Sequence, residues 1–259
     1  MRGAVLALIA LALVAAPVDA RPRRLPSTTD AIADGTHWRV ESAAGAIHVW
    51  TPPGYDRATA GVVIYVHGYD VDADGAWRDH DLATQFAAAR VNAMFIVPEA
   101  PAGKRAAVVW PALATLLATV GRAALVVPRG PIVVVGHSGA YRTLASWIDH
   151  RRVATMILVD AMYGDPSAFA TFVGRGARAR KHRLVLLGAD TARAGTALAR
   201  RSRGAVERDE LPTDVDGFTT AERGARLLAV TTSLGHMELV TSGRVLPLVL
   251  AIAGLPARR

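Results

Sequence analysis

The 259-residue sequence contains no cysteine. This absence excludes disulfide bonds, metal sites built from thiolates, and a lipid anchor attached through a cysteine side chain. It also removes the thiolate from the set of possible nucleophiles, so serine is the best candidate if the protein carries out covalent catalysis. No residue pattern indicates a cofactor, and we expect none.

Lysine is almost absent as well, because Lys104 and Lys181 are the only two, and arginine supplies nearly all of the net charge of +8. Such a charge can attract a protein to anionic surfaces such as cell wall, lipid head groups or nucleic acid. The alternative, which we favour, is that the arginines are scattered over solvated helix faces. The densest run, 175–183, has no interleaved aromatic residues, so we expect no nucleic-acid partner.

Long apolar runs are missing outside the first 20 residues. There Arg2 precedes an apolar stretch and a small-residue pattern ends at Ala20, an arrangement typical of a secretory signal peptide cleaved after Ala20. The stretch is short for a bilayer span, so an uncleaved anchor is the weaker alternative. We therefore expect a secreted or periplasmic protein with no stable membrane insertion after cleavage. In it, residues 21–35 are an extended lead-in and 36–259 form one domain.

Short apolar runs alternate with helical segments along the rest of the chain. Runs without polar alternation are typical of strands buried on both faces, and they occur at 62–66, 92–97, 132–135, 155–159, 184–187 and 227–231. A hairpin is predicted before them, from 38–41 and 47–50. Helices are predicted at 79–90, 111–122, 140–150, 166–173, 191–201 and 243–253. This order predicts an α/β fold with a doubly wound, mostly parallel sheet and helices on both faces.

Ligand sites of such sheets lie beyond the carboxyl ends of the strands. The run at 132–135 leads there into Gly136-His137-Ser138-Gly139-Ala140. This pattern, between a buried strand and a helix, is typical of a nucleophile elbow, in which the serine occupies a strained turn. Small residues two positions to either side let the strand and the helix approach closely. The elbow therefore predicts Ser138 as the nucleophile.

These features make the chain resemble the α/β-hydrolase superfamily over nearly all of residues 36–255. The segment 51–56 is similar to the lead-in of many esterases in that superfamily, and His67-Gly68-Tyr69 stands where its oxyanion loop begins. The resemblance implies that the backbone N–H groups of Tyr69 and Gly139 form an oxyanion hole.

A general base is expected after the last strand, where His236 follows Gly235. Histidine suits the task because its pKa near 6.5 lets it accept and return a proton around neutral pH. Two aspartates at strand ends, Asp160 and Asp190, are candidates for orienting it. The resemblance favours Asp190, on the later strand, but Asp190 would also be a natural helix N-cap. A carboxylate that ends a buried strand needs a partner, so we favour Asp160.

The acidic stretch after the oxyanion loop has three interpretations: a calcium site, a substrate contact or a solvated loop. Its spacing is similar to a calcium loop of the EF-hand kind, although no helix is predicted before it; the ligands would be Asp70, Asp72, Asp74 and Asp81. If the loop instead borders the substrate, we expect substrate contacts from Gly68, Asp70, Trp77 and His137.

Taken together, the motifs predict a secreted serine hydrolase that cleaves carboxylic esters through an acyl-enzyme on Ser138. Its substrate would be a small molecule or an acyl group of the cell envelope. One alternative is an amidase or peptidase acting on cell-wall peptides. Another is a catalytically silent binding protein of the same fold, which the intact serine, histidine and aspartates disfavour.

Overall fold

The computed structural model describes residues 25–123, 125–175 and 182–258. The predicted signal peptide, 1–20, lies outside the described residues, and so does most of the arginine-rich run 175–183. Within the described ranges, no helix combines the length and the apolar character that crossing a bilayer requires.

In the described part of the chain, ten strands form a single sheet. The strands are β1 (Ser27–Ile32), β2 (Gly35–Ser42), β3 (Gly45–Thr51), β4 (Gly61–Val66), β5 (Ala93–Pro98), β6 (Ile132–His137), β7 (Val153–Val159), β8 (Arg183–Gly188), β9 (Val206–Arg208) and β10 (Leu227–Thr231). Their order across the sheet is β1-β2-β3-β5-β4-β6-β7-β8-β10-β9. The pairs β1–β2, β2–β3 and β3–β5 are antiparallel, and every later pair is parallel. The predicted, mostly parallel sheet is confirmed.

The parallel strands are apolar throughout because helices cover both faces of the sheet. In β4, Val62, Ile64 and Val66 belong to the core on one face. Val63 and Tyr65, which alternate with them, belong to the core on the other face. Since successive side chains of a strand point to opposite faces, a strand covered on both sides needs an apolar residue at every position.

Helices lie on both faces of the sheet, as predicted. They are α1 (Ala73–Asp79), α2 (Leu82–Ala88), α3 (Leu113–Arg122), α4 (Tyr141–Ser146), α5 (Ser167–Arg175), α6 (Ala192–Arg201), α7 (Thr220–Gly224), α8 (Glu238–Thr241) and α9 (Val245–Ala251). Helices α3 to α6 contribute to one core, for example through Leu116, Leu144 and Phe172. Helices α1, α2 and α9 contribute to the other, for example through Phe86 and Leu246.

The structure differs from the predicted elements at several points. The single helix predicted at 79–90 is wrong: α1 ends at Asp79, and α2 begins only after Asp81, whose φ of 46° is left-handed and breaks the helix. The helix predicted at 140–150 is shorter, because α4 ends at Ser146. Strand β1 lies within the expected extended lead-in and pairs with β2, so this part of the lead-in belongs to the sheet.

Candidate active site

The elbow between β6 and α4 has the strained geometry that the sequence predicts. Ser138 follows β6 directly and has a φ of 53°, a left-handed conformation that is costly for a residue other than glycine. At Gly136, a Cβ atom would lie 2.8 Å from Leu144 Cδ1 and 3.0 Å from the Cβ of Ala140. The strand and the helix therefore approach each other so closely that only small residues fit at these two positions.

The loop after β4 lies against this elbow. A Cβ atom on Gly68 would lie 2.9 Å from Ser138 Cβ, and one on Gly139 would lie 2.4 Å from the Tyr69 ring. Glycine at both positions is what allows this close approach. The backbone N–H groups of Tyr69 and Gly139 have no hydrogen-bond acceptor among the described residues. Two free donors thus lie on the two segments that meet at Ser138, the arrangement that an oxyanion hole requires.

His67 fixes the orientation of a peptide group in this loop. Its Nε2 accepts a hydrogen bond from the Ala100 N–H at 3.0 Å, so the ring proton is on Nδ1, which donates to the Gly68 carbonyl at 2.8 Å. The Gly68 carbonyl and the Tyr69 N–H belong to one trans peptide and point in opposite directions. Holding the carbonyl on His67 therefore turns the Tyr69 N–H away from His67 and prevents the peptide from flipping.

Asp160, which follows β7, is a buried carboxylate held by several hydrogen bonds. It is fully buried, with a φ of 44°, and its oxygens accept from Thr191 N at 2.8 Å, Thr191 Oγ1 at 2.7 Å and Ala189 N at 3.0 Å. Burial alone would raise the pKa of Asp160, but the hydrogen bonds from His236, Thr191 and Ala189 outweigh it and lower the pKa. Asp160 is therefore ionised at neutral pH.

His236 lies between β10 and α8 and is bonded to that carboxylate. Its Nδ1 is 2.6 Å from Asp160 Oδ2, the length of a charge-assisted hydrogen bond. The neighbouring His137 supports it, because His137 Nε2–H donates to the His236 carbonyl at 3.2 Å and the two rings lie 4.5 Å apart. Burial and the charge of the nearby His236 both lower the pKa of His137, to about 3. His137 is therefore neutral and donates this hydrogen bond.

Ser138 and His236 line the same cavity, of about 440 Å³. No hydrogen bond within 3.5 Å joins the serine hydroxyl to the imidazole. In structures without substrate such bonds are often long, and they tighten when substrate binds. Because Nδ1 carries the proton that bonds to Asp160, the neutral imidazole has its lone pair on Nε2. The nitrogen that a general base needs is therefore free.

Comparison with solved structures identifies this architecture. The fold matches an S-formylglutathione hydrolase from Agrobacterium tumefaciens with a TM-score of 0.52 and 11% identity, covering 88% of this chain and 98% of that one. It matches the feruloyl esterase module of Clostridium thermocellum with a TM-score of 0.55 and 12% identity, covering 93% and 92%. It also matches FphF, a fluorophosphonate-binding serine hydrolase of Staphylococcus aureus, with a TM-score of 0.53 and 10% identity, covering 87% and 97%. The chain has the α/β-hydrolase fold.

No family model and no curated protein matches the sequence, so the likeness is one of fold. Within this α/β-hydrolase fold, the two candidate acids lie in different environments. Asp190 is exposed, and its backbone N–H lies 3.3 Å from Asp160 Oδ2, so it contributes to holding Asp160. The His236 imidazole is hydrogen-bonded to Asp160.

One group of side chains has metal-ligand spacing. Asp160, Asp190 and His236 offer ligand atoms within 4.8 Å of one another. However, the 2.6 Å between Asp160 and His236 is a hydrogen-bond length, and Thr191 and Ala189 also bond to the same carboxylate. The geometry of this group therefore fits a hydrogen-bonded acid–base pair.

The acidic stretch is not assembled as a calcium loop. Asp72 accepts a hydrogen bond from Gly75 N and caps α1, while Asp74 lies inside α1 and is paired with Arg39 and His48. Asp81 occupies the left-handed position before α2. The stretch runs from a turn into a helix, and Asp70, Asp72, Asp74 and Asp81 do not form a group with metal-ligand spacing among the described residues.

Three of the four predicted substrate contacts lie at the cleft. Gly68, Asp70 and His137 line the cavity that contains Ser138 and His236. The prediction for Trp77 is wrong. This residue is only 8% exposed, and its indole stacks on the rings of His37 in β2 and His48 in β3. Trp77 lies inside α1, and the helix turns its apolar side chain into the core.

Sequence reasoning missed a second lobe of the cleft. A second cavity of about 260 Å³ also borders Ser138 and is lined by Tyr69, Lys104, Gly139, Tyr141 and Tyr163. Tyr163 is 49% exposed, and its hydroxyl lies 3.5 Å from His236 Nδ1. One signal was present in the sequence: Tyr141 follows the elbow, and Tyr163 lies three residues after Asp160.

Proposed function

We propose that this chain is a serine hydrolase that cleaves carboxylic esters through an acyl-enzyme on Ser138. The observation that carries the proposal is the buried, ionised Asp160 hydrogen-bonded to His236 Nδ1, which leaves Nε2 free in the cavity shared with Ser138. The likeness of the fold to an S-formylglutathione hydrolase and a feruloyl esterase module supports the same class of reaction.

In the first step, His236 Nε2 takes the proton of the Ser138 hydroxyl as its oxygen attacks the ester carbonyl carbon. The carbonyl oxygen gains a negative charge, which the N–H groups of Tyr69 and Gly139 stabilise. A donor of this kind contributes about 3–4 kcal/mol to the transition state. Asp160 holds the imidazole in the correct tautomer and stabilises the imidazolium that forms.

In the second step, His236 returns its proton to the leaving alcohol, and the acyl group remains on Ser138 as an ester. A water molecule then gives a proton to His236 Nε2 and attacks the acyl carbon. Collapse of this second intermediate releases the acid and restores the serine hydroxyl. Each proton taken by the histidine is given back, so the enzyme returns to its starting state.

The nucleophile can be tested by reacting the purified protein with a fluorophosphonate probe. We expect labelling of the wild type and of Ser146→Ala, whose serine is exposed on α4, and no labelling of Ser138→Ala. Turnover of a panel of short esters and the matching amides would then test the reaction class. Equal labelling of Ser138→Ala, or turnover of amides alone, would contradict the proposal.

We also propose that the protein is exported, on the strength of the pattern in residues 1–20. Protein recovered from the periplasm or the medium should begin at Arg21, immediately after the small-residue pattern. N-terminal sequencing tests this. Full-length protein confined to the cytoplasm would contradict it.

A further inference from the structure

The two lobes of the cleft have different side chains and opposite charge. The smaller lobe, of about 260 Å³, is aromatic and contains Lys104. The larger lobe, of about 440 Å³, contains His236, Asp70 and Asp79. We call them the lysine lobe and the aspartate lobe. They meet at Ser138, which lines both.

The chemistry of the proposed function assigns a substrate half to each lobe. His236 must give its proton to the departing oxygen, so the alcohol half lies beside His236, in the aspartate lobe. The acyl half remains on Ser138 after the alcohol has left, and the lysine lobe is the remaining space beside Ser138 and Gly139. The acyl group therefore meets Lys104, and the alcohol meets Asp70.

Each lobe contains one uncompensated charge among the described residues. Neither the Lys104 ammonium nor the Asp70 carboxylate has an ion-pair or hydrogen-bond partner there. Asp79, in contrast, is paired with Arg78 at 2.7 Å. Asp70 also has a left-handed φ of 66°, and strain of this kind accumulates at functional sites. The two histidines under the aspartate lobe are neutral, because burial lowers the pKa of His80 to about 4 and that of His137 to about 3.

We propose that the preferred substrates are esters with an anionic acyl part and a cationic alcohol part. An acyl group with a distal carboxylate would pair with Lys104, and an alcohol with an ammonium group would pair with Asp70. This inference rests on the proposed ester hydrolysis and adds the charge of each half of the substrate.

The test compares esters that differ only in charge. For the acyl half, the p-nitrophenyl monoester of adipic acid, whose chain is too long for rapid attack by its own carboxylate, is compared with its methyl-capped diester. For the alcohol half, butyrylcholine is compared with 3,3-dimethylbutyl butyrate, a neutral molecule of the same shape. We expect the wild type to have a several-fold lower KM for the charged member of each pair, with a similar kcat.

Two variants connect each preference to its residue. Lys104→Gln should raise the KM for the adipate monoester about 3- to 5-fold and leave the KM for the diester unchanged, while Arg105→Gln, at its exposed neighbour, should change neither. Asp70→Asn should likewise raise the KM for butyrylcholine and leave the KM for its neutral analogue unchanged. The control is Asp34→Asn, because Asp34 is also exposed with a left-handed φ but lies in the β1–β2 turn. Equal KM values for charged and neutral esters in the wild type would overturn the inference. Failure to hydrolyse any ester would instead contradict the proposed function.

A second inference comes from the opposite edge of the sheet, where the parallel strands begin. Arginines stand before four neighbouring strands: Arg90 before β5, Arg57 before β4, Arg129 before β6, and Arg151 with Arg152 before β7. Since these strands are adjacent in the order β5-β4-β6-β7 and neighbouring strands lie about 4.8 Å apart, the segments that carry these arginines come together at one edge of the sheet. We call this set of arginines the basic edge.

Two arginines of the basic edge share a groove with an exposed apolar side chain. Val126 is 59% exposed and lines a groove of about 290 Å³ together with Arg57 and Arg129. Arg57, Arg90 and Arg129 are exposed and have no ion pair with a described residue. Arg152 donates to the carbonyls of Pro128 and Gly130, which flank Arg129, so Arg152 lies beside the segment that carries Arg129.

We infer that the basic edge binds the surface of an anionic phospholipid bilayer, with Val126 at the level of the head groups. Arginines supply about 1 kcal/mol each near such a surface, and an apolar residue among them adds contact that a purely polar polymer would not provide. The cleft lies at the opposite edge of the sheet, so it would face away from the membrane.

Sedimentation with lipid vesicles tests this inference. Vesicles of 30% phosphatidylglycerol in phosphatidylcholine should bind the protein, and vesicles of phosphatidylcholine alone should not. The double variant Arg57→Gln/Arg129→Gln should bind about 30-fold more weakly, whereas Arg193→Gln/Arg201→Gln, with two exposed arginines on α6, should bind normally. Val126→Ser should also weaken binding. No binding to the anionic vesicles, or equal loss in both double variants, would overturn the inference.

Discussion

Two residues of the site, Ser138 and Asp160, are held in left-handed backbone conformations, with φ values of 53° and 44°. Both follow directly after a strand, β6 or β7, so both turn sharply at the carboxyl edge of the sheet. This conformation costs free energy for any residue with a Cβ atom, and the surrounding core must offset it. The left-handed turn keeps the Ser138 hydroxyl and the Asp160 carboxylate at the carboxyl edge of the sheet. If the chain continued in the extended conformation, both side chains would lie beyond that edge.

The strain at Ser138 predicts an unusual ranking of two inactive variants. Ser138→Gly should have a free energy of unfolding about 1 kcal/mol higher than Ser138→Ala, because glycine adopts positive φ without penalty. At Ser146, within α4, the same pair should rank the other way, since glycine weakens a helix. Urea denaturation of the four proteins measures both differences, and an identical ranking at the two positions would show that Ser138 is not strained.

Asp160 should matter far more for turnover than Asp190. Asp160→Asn leaves His236 without the partner that fixes its tautomer, so kcat should fall on the order of 10³-fold or more. Asp190→Asn should change kcat little, because its backbone N–H, which bonds to Asp160, is retained. The measurement is the kcat of both variants with one activated ester. A larger loss of kcat in Asp190→Asn than in Asp160→Asn would assign the acid to Asp190.

At the scale of elements, the sequence predicts the buried strands well and the edges poorly. Strands β4 to β8 and β10 are apolar at nearly every position, and that pattern has no other common explanation at such lengths. Strand β1 has the polar composition STTDAI and β9 has three residues, so neither has a pattern to detect. Helix α1 begins inside the acidic stretch, where the aspartates suggested a loop.

The candidate site residues that follow a strand could be predicted from the sequence. The residues that line the lysine lobe could not. Ser138, Asp160 and His236 each follow a buried strand, and the fold brings the ends of such strands together. Lys104 and Tyr163 lie within longer loops, and the sequence does not specify the path of a loop. The substrate contact predicted for Trp77 is wrong for a similar reason. Only the orientation of α1 in the structure shows that this side chain points into the core.

The contact between the oxyanion loop and the elbow predicts the effect of one methyl group. In Gly68→Ala, the new Cβ would lie 2.9 Å from Ser138 Cβ, so the nucleophile or the loop must shift. Small displacements of reacting groups are costly, and kcat should fall about 10-fold or more. Gly121→Ala, in α3 with nothing within 4 Å, should retain full kcat. Equal kcat in both variants would mean that the loop does not rest on Ser138.

At the scale of the whole molecule, three buried histidines make stability depend on pH. Burial lowers the pKa of His48 and of His80 to about 4 and that of His137 to about 3, against about 6.5 in the unfolded chain. Between pH 6.5 and about 4 the unfolded state therefore binds more protons than the folded state. Stability from these groups is complete above pH 6.5 and is lost as the pH falls through this window.

The free energy of unfolding should accordingly decrease as the pH is lowered from 6.5 to 5. Each of the three histidines adds a slope of up to about 1.4 kcal/mol per pH unit. Replacing one of them by a residue that does not titrate, as in His48→Gln, should reduce the slope by up to one such increment. Urea denaturation at several pH values measures it, and a stability independent of pH in this range would contradict the buried, neutral state of these histidines.

The central claim is that Ser138 carries the acyl group during turnover, and trapping that intermediate tests it most directly. The protein is mixed with an excess of an activated ester, quenched in acid within the first turnovers, digested and analysed by mass spectrometry. The account predicts that the mass of the acyl group is added to the peptide containing Ser138, and that the addition is absent in Ser138→Ala. Acyl mass on a different residue, or hydrolysis by Ser138→Ala at the wild-type rate, would contradict it.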